Sequence, residues 1–172
     1  FLEDPQYSLD KFEKTGRIDW TTDVCELASK HGLKNVYAEL GTTFATVAVA
    51  SPRLAAAMIG QMVNHMGADH VVWGTDSVWY GSPQWQIEAF RRLEVPDDIM
   101  KKMGWKTKLG AADGKTKNMI FGENSARIYK YKIQAEYDDL RRDQLDLMKE
   151  HYEGEGVERN NVTYGFVGTK TA

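Results

Sequence analysis

The chain has 172 residues, of which 42% are hydrophobic and 27% charged, and its formal net charge is −3. Domains cluster at roughly 100–200 residues, so this length suits one domain. The charges are spread without long blocks of one sign, whereas phosphate binding needs a concentrated basic face. The longest mostly apolar stretch, from Phe44 to Met66, is too often interrupted by polar residues to cross a bilayer. We therefore expect neither nucleic acid nor a membrane as a partner.

The chain begins with Phe1 and a polar segment that has no start-like character. From this we expect a chain cut from a longer protein. Its single cysteine, Cys25, lies in a helical apolar pattern and is expected to be a small core residue. Because one cysteine makes no internal disulfide, we expect a reducing compartment such as the cytoplasm.

The first elements are a polar segment, a helix and a strand. Residues 1–18 are mostly polar and predict an irregular segment. A helix is predicted at about 19–31, with Asp19 or Thr21 as its N-cap. The run at residues 36–40 is short, compatible with β-structure and followed by glycine, which is typical of a buried strand.

A second helix and a second strand follow. Ser51 and Pro52 predict a helix start, and an apolar stripe continues from there to Met66. Residues 70–76 then predict a strand that ends on Gly-Thr-Asp. A strand, a helix and a strand joined by short turns form a βαβ unit with parallel strands. Since two strands do not make a sheet that is buried on both faces, we expect the other strands in missing chain or in a partner.

The rest of the chain is predicted to be mainly helical. Helices are expected at about 83–93 and 97–103, and a short pair around 119–121 and 125–129. Between them, residues 104–117 are rich in glycine and lysine and predict a loop insertion.

A last helix is predicted at about 132–152, followed by an extended arm from Glu153 to Ala172. The helix has a heptad-like apolar seam, which either packs on the body of the same protein or forms a contact between subunits. The seam consists of Ile133, Tyr137, Leu140, Gln144, Leu147 and His151.

The chemistry-bearing feature of the sequence is Gly74-Thr75-Asp76-Ser77, at the carboxyl end of the second predicted strand. In parallel α/β barrels the reacting groups lie at that edge. A carboxylate there can bind a divalent metal or take a proton from a metal-bound water. The alternative is that Asp76 only caps the helix or turn that follows it.

Three segments resemble the amidohydrolase-related family, which are metal-dependent (β/α)₈ barrels that include decarboxylases related to aminocarboxymuconate-semialdehyde decarboxylase. Residues 67–77 (GADHVVWGTDS) resemble the last barrel strand, which presents an aspartate to the metal. Residues 120–129 (IFGENSARIY) resemble the terminal helix of the family, and residues 35–40 (NVYAEL) resemble the strand before the last one. The three matches occur in the order that the family has.

The resemblance implies an α/β fold, namely the C-terminal portion of a (β/α)₈ TIM barrel. Residues 1–131 would contain the last two strands and their helices, and residues 132–172 would add a C-terminal helix and an extended arm. This extension has no counterpart in the family, and we expect it to make a homo-oligomer contact.

The resemblance also implies an enzyme that uses a divalent metal, with zinc as the default and manganese as the other candidate. The reaction would be hydrolysis of a C–N or C–O bond or a nonoxidative decarboxylation by a lyase, acting on a small-molecule substrate. Asp76 would be the metal ligand and proton acceptor. The family's histidine ligands are absent and would precede Phe1, so the lone chain is expected to be incomplete.

Four further residues are candidates for substrate contact. Ser77, Trp79 and Tyr80 follow Asp76 in the loop that faces substrate in this family, although an aromatic there could instead seal a helix against the barrel. Glu39 could point to the barrel mouth or pair with a basic residue. Two rival hypotheses stay open, a non-catalytic structural or assembly protein and one chain of a split barrel.

Overall fold

The computed structural model describes residues 4–133 and 144–155. Contacts divide the chain into two units, Phe1–Lys132 and Ile133–Ala172. Across the described ranges no helix combines the length and the apolar character needed to span a membrane. The helices and strands, in chain order, are α1 (Pro5–Thr15), α2 (Thr21–Lys30), β1 (Ala38–Glu39), α3 (Gly41–Ala50), α4 (Pro52–Met66), β2 (Val71–Val72), α5 (Ser77–Tyr80), α6 (Gln84–Arg92), α7 (Asp97–Met103), α8 (Lys115–Asn118), α9 (Asn124–Ile128) and α10 (Gln144–Gly154).

The described part of the first unit is a mostly helical α/β fold with one two-stranded parallel sheet. Ala38 pairs with Val71 and Glu39 pairs with Val72. The prediction of a parallel βαβ arrangement is therefore confirmed. The strands are shorter than the runs predicted at 36–40 and 70–76, because only these two residues of each strand find a partner strand.

The first helix, α1, contradicts the irregular segment predicted over residues 1–18. The Asp4 carboxylate caps it by accepting a hydrogen bond from Gln6 N at 2.8 Å. Leu9 and Phe12 are buried on one face of the helix. Two apolar residues at a spacing of three are enough to anchor a short amphipathic helix, so a polar composition alone was misleading.

Helix α2 lies where it was predicted, but neither Asp19 nor Thr21 is its N-cap. The N-cap position is Trp20, which has a φ of 65° and makes no side-chain capping bond. Two residues further, the Thr22 hydroxyl accepts a hydrogen bond from Ile18 N at 2.8 Å. The main-chain N–H of Ile18, which precedes the helix, thus has its hydrogen-bond acceptor in the first turn of the helix.

Two helices, rather than one, connect the strands. Helix α4 agrees with the prediction, and most of its residues are buried in the centre of the unit. Helix α3 was not predicted, because its threonines and valines have low helix propensity. It buries Phe44, Ala45 and Val47, so tertiary packing compensates for that propensity.

The core is completed by α6 and α7, which lie where they were predicted. Phe90 of α6 is fully buried among three other rings. Its ring centroid is 5.8 Å from that of Phe44, 5.3 Å from that of Trp73 and 5.0 Å from that of Phe121. This aromatic cluster joins α3, the segment after β2, and the C-terminal helices of the unit.

The predicted loop at 104–117 is shorter than expected, because α8 begins at Lys115. Its Lys117 is completely buried, and Nζ donates a hydrogen bond to Arg91 O at 2.7 Å. Met119–Glu123 forms a π-helical turn between α8 and α9, so the predicted short pair of helices is one helical run.

In the second unit, Gln144–Gly154 forms α10. It agrees with the C-terminal part of the helix predicted at 132–152, and it includes Glu153, which was predicted to start the arm. In the heptad-like seam, Leu147 and His151 are exposed. Tyr137 and Leu140 lie outside the described residues, as does the arm beyond residue 155.

Candidate functional site

Two carboxylates lie at the carboxyl edge of the sheet. Glu39 is the last residue of β1, and Asp76 follows β2 after a short turn. Because the strands are parallel, both residues leave the sheet at the same edge. Helix α3 begins directly after β1, so its N-terminus is at this edge too.

Asp76 binds the N-terminus of α3 rather than the helix that follows it in sequence. Its Oδ2 accepts hydrogen bonds from Thr42 N at 2.8 Å and from Thr42 Oγ1 at 2.5 Å. The side chain makes no capping bond to α5, so the interpretation of Asp76 as a cap of the following helix is wrong. The N-terminal N–H groups of a helix favour a negative charge, which is why the carboxylate is well placed there.

The backbone of Asp76 is in the left-handed region, with φ 48° and ψ 32°. Few residues other than glycine adopt this conformation, although aspartate tolerates it better than most. Such a conformation persists where the surroundings over-determine it. At Asp76 the double hydrogen bond to Thr42 supplies one such restraint.

The Glu39 carboxylate is held between two glycines. Its Oε1 accepts a hydrogen bond from Gly41 N at 3.1 Å. A Cβ atom at Gly74 would lie 1.4 Å from Glu39 Oε1, and one at Gly41 would lie 2.6 Å from Glu39 Oε2. The same point at Gly41 is 2.9 Å from Asp76 Oδ2. Glu39 Oε2 and Asp76 Oδ2 therefore both lie close to one point beside Gly41.

Burial of its carboxylate raises the pKa of Glu39 above the usual value of 4.5, and the negative charge of Asp76 raises it further. The hydrogen bond from Gly41 N acts in the opposite direction and is outweighed by burial. A cation bound between the two carboxylates would instead lower the pKa of Glu39.

A pH dependence follows from the raised pKa of Glu39. The folded chain holds this proton more tightly than the unfolded chain, so Glu39 lowers stability as pH rises from about 4.5 through its folded pKa. Glu39→Gln is expected to remove that loss. In metal-free buffer, the free energy of unfolding of the variant should exceed that of the unaltered chain more at pH 7 than at pH 4. A difference between the two proteins that is independent of pH would contradict the raised pKa.

The position of the Glu39 carboxylate leaves no room for a side chain at Gly74. Gly74→Ala is expected to push the Glu39 carboxylate out of its position, because an added Cβ would overlap Oε1. Since Glu39 is an exposed residue whose carboxylate is only partly buried, stability should change by no more than about 1 kcal/mol. The displacement would be revealed if the free energies of unfolding of Gly74→Ala and of the double variant Gly74→Ala/Glu39→Gln differed by an amount that does not depend on pH.

Gly122→Ala is the matched control, because a Cβ at Gly122 meets nothing within 4 Å and φ is not positive there. Alanine in this helical run should stabilise the chain by roughly 0.5–1 kcal/mol and leave the titration of Glu39 unchanged. An unchanged Glu39 titration in Gly74→Ala as well would show that the glycine does not set the place of the carboxylate.

The other predicted site residues lie in α5, immediately after Asp76. Ser77 is partly exposed, and its main-chain N–H donates to Thr75 Oγ1 at 3.3 Å. Trp79 is 80% exposed and Tyr80 is 37% exposed, so Trp79 does not seal a helix against the described unit. The structure therefore brings Glu39 and Asp76 together and places the three α5 residues on the surface beside Asp76.

Two functional-site residues were not predicted from the sequence. Thr42 binds Asp76 across 34 positions of chain, and Gln86 Nε2 donates to Thr75 O at 2.8 Å from a fully buried side chain. Neither contact has a local signal, because both partners come together only when α3 and α6 pack against the segment after β2.

The residues that match the terminal helix of the family lie at the opposite end of β2. Asn124 Nδ2 donates to Ala68 O at 2.8 Å and to Val71 O at 2.7 Å, and the side chain is buried. Arg127 donates to Asp69 O at 2.5 Å. Both residues anchor the start of the strand.

Within the part of the chain that the structure describes, no group of three or more histidine, cysteine, aspartate or glutamate side chains could hold a metal ion. Comparisons with protein-family models, with curated proteins and with solved structures found nothing that matches this chain. The function is therefore argued from the carboxylate pair and from the sequence resemblance.

Proposed function

We propose that this chain supplies the last two strands of a metal-dependent (β/α)₈ barrel of the amidohydrolase-related family, which acts as a hydrolase or a nonoxidative decarboxylase in the cytoplasm. The observation that carries the proposal is the meeting of Glu39 and Asp76 at the carboxyl edge of two parallel strands. Reacting groups of parallel α/β barrels lie at this edge.

The donor set fits a divalent cation. Carboxylate oxygens are ligands for zinc, manganese and magnesium. Asp76 uses Oδ2 for its bonds to Thr42, and among the described residues no donor reaches Oδ1. Glu39 Oε2 faces the same point beside Gly41 as Asp76 Oδ2 does. Two carboxylates in this arrangement would hold the ion between them, with zinc as the first candidate and manganese as the second.

The ion supplies Lewis-acid chemistry when it is bound. In this proposal Asp76 would bind the ion and would also serve as the proton acceptor of the site. Glu39 would add a second negative charge beside Asp76. Ser77, Trp79 and Tyr80 contact a small-molecule substrate, since α5 presents them on the surface beside Asp76.

Two carboxylates are fewer ligands than a tight zinc site has, since such sites have at least three protein ligands. We propose that the remaining ligands are histidines on strands outside this chain, either in a longer polypeptide or in a partner chain. α10 belongs to the extension for which we propose a homo-oligomer contact.

A native mass spectrum of the protein from its source tests this proposal, because it reports chain composition and bound metal together. The expected result is this sequence, within a longer polypeptide or in complex with a second chain, together with one divalent ion per barrel. A metal-free species that consists only of this chain would contradict it.

One observation favours a second function, that of an assembly protein. Val78 is 83% exposed beside Trp79, which places an apolar surface on α5. If assembly is the function, replacing both by serine will change the oligomeric state and Asp76→Asn will not. An enzyme should respond in the opposite way, with its metal content depending on Asp76.

A further inference from the structure

We propose that His70 is a proton-dependent latch, which joins the two strands at their amino edge while its ring is protonated and releases them when the ring is neutral. The latch is independent of any metal or substrate, because it lies at the edge of the sheet opposite to Glu39 and Asp76. His70 directly precedes β2, and its ring reaches the segment that leads into β1. One side chain therefore connects the starts of both strands.

One ring nitrogen binds the main chain before β1. His70 Nε2 lies 3.2 Å from Lys34 O. A carbonyl oxygen only accepts hydrogen bonds, so Nε2 has to carry the hydrogen. In a neutral imidazole the other nitrogen, Nδ1, then carries none and presents a lone pair. The fold thus determines that Nδ1 is the atom that gains or loses the second proton.

The other ring nitrogen faces a carboxylate. Nδ1 is buried and lies 3.2 Å from Asp69 Oδ1, without the alignment of a hydrogen bond. A Cβ atom at Gly67 would lie 2.5 Å from the same oxygen and 3.9 Å from Nδ1, so both atoms face one point beside this glycine. When the ring is neutral, two acceptors face each other. When the ring is protonated, the same contact is an ion pair.

The ring is held in this place by its surroundings. The His70 side chain is 24% exposed, and its ring stacks on that of Tyr37 with the centroids 5.0 Å apart. On the same tyrosine, the Arg127 guanidinium lies 5.9 Å from the ring centroid. Turning the imidazole away from Asp69 would break the stack and the bond to Lys34 O. Because an unpaired buried polar atom costs free energy, loss of the proton weakens the whole arrangement.

Asp69 supplies the charge that favours a protonated ring. Burial acts to raise the pKa of the Asp69 carboxyl, but the contact with His70 and the positive charge of Arg127 outweigh burial and hold this pKa below its usual 3.8. The carboxylate is therefore ionised throughout the range of pH in which histidines titrate, about pH 5–8.

Other charged groups come from three neighbouring elements. Arg127 of α9 is directed at the main chain, where it donates to Asp69 O. Helix α4 and the π-helical turn also pack on the turn that carries His70, and they contribute His65 and Glu123, which are both exposed. Across the described ranges, Asp69 is the one residue that forms an ion pair with His70. The state of the latch thus depends on this pair.

The latch stabilises the sheet in a limited range of pH. Its contribution is lost as pH falls through the lowered pKa of Asp69, and it is lost again as pH rises through the range in which His70 gives up its proton. The sheet pairs only two residues of each strand, so a contact at its amino edge is a large part of what joins them. Above neutral pH we expect the start of β2 to open more often.

Amide hydrogen exchange of Leu40 in the full chain measures this opening, because Leu40 N donates to Val72 O across the sheet at 3.2 Å. His70→Phe keeps an aromatic ring against Tyr37 and removes both nitrogens. The ratio of Leu40 protection in the unaltered chain to that in His70→Phe should be about two- to fivefold larger at pH 5.5 than at pH 8. Both chains contain Glu39, so its titration cancels in the ratio.

The ring ¹⁵N chemical shifts of His70 report its protons directly. In the unaltered chain Nδ1 should keep its proton to a higher pH than in Asp69→Asn, which preserves the shape of the side chain and removes the charge. His65→Phe is the matched control, because His65 is an exposed histidine on α4. It should leave the ¹⁵N titration of His70 and the Leu40 protection unchanged.

Two results would overturn the latch. One is a His70 ¹⁵N titration that is identical in the unaltered chain and in Asp69→Asn. The other is a Leu40 protection ratio between the unaltered chain and His70→Phe that is the same at pH 5.5 and pH 8. The ¹⁵N comparison does not depend on His70→Phe, so the proposal stays testable if that variant does not fold.

Discussion

Asp76→Asn is expected to lower Mn²⁺ affinity by more than about 100-fold, which is the upper end of what loss of an outer hydrogen-bonding partner costs. The substitution removes the negative charge that binds the ion and keeps the shape of the side chain. Asparagine tolerates the left-handed backbone found at this position, and its amide oxygen can still accept the bonds from Thr42. The fold should therefore survive, and titration calorimetry with Mn²⁺ should report the loss.

A control variant separates the site from the general effect of charge. Asp113→Asn removes one negative charge from an exposed position in the loop before α8. Because salt screens the effect of a distant, exposed charge, this substitution should change Mn²⁺ affinity only slightly. Equal losses in the two variants would mean that Mn²⁺ is attracted by net charge and that Asp76 is no ligand.

Phe90→Ala is expected to destabilise the first unit by about 3–5 kcal/mol. The side chain is fully buried and contacts the rings of Phe44, Trp73 and Phe121, so its removal leaves a cavity and loses three aromatic contacts. Because Trp73 directly precedes Gly74, the same change should loosen the segment that carries Asp76. Urea denaturation followed by tryptophan fluorescence would measure the free energy of unfolding.

The control for this prediction is another aromatic residue that has no packing role. Tyr129 is 80% exposed, and Tyr129→Ala should change the free energy of unfolding by no more than about 0.5 kcal/mol. A cost below about 1 kcal/mol for Phe90→Ala would mean that the ring cluster does not hold the segment after β2 in place.

The elements that the sequence predicted best are those whose signals are local. Helix α4 has a serine and a proline at its start and a wide apolar stripe, and α7 has acidic residues in its first turn and glycine after its end. Parallel pairing of β1 and β2 followed from the order of strand, helix and strand, and it placed Glu39 and Asp76 at one edge.

The features that the sequence did not predict depend on contacts between distant residues. Helix α3 is stabilised by burial of Phe44 and Val47 and not by propensity. The role of Asp76 as a cap of α3 requires a hydrogen bond to Thr42, 34 positions away. An aspartate before a short helix suggests a local cap, and the tertiary fold replaces that local partner by a distant one.

The family resemblance and the structure both concern one place, the carboxyl edge of the two-stranded sheet. The resemblance put an aspartate with metal-binding character at position 76. The structure adds Glu39, Gly41, Gly74 and Thr42 around it. The barrel and its reaction stay predictions, since they depend on strands that the described sheet does not contain.

The most direct measurement is a crystal structure of the protein grown with Mn²⁺, with the ion located by its anomalous scattering. We expect one peak at bonding distance from a carboxylate oxygen of Asp76 and from one of Glu39. A peak elsewhere, or no peak near either carboxylate at a Mn²⁺ concentration that saturates binding in solution, would contradict the assignment of this pair as the metal site.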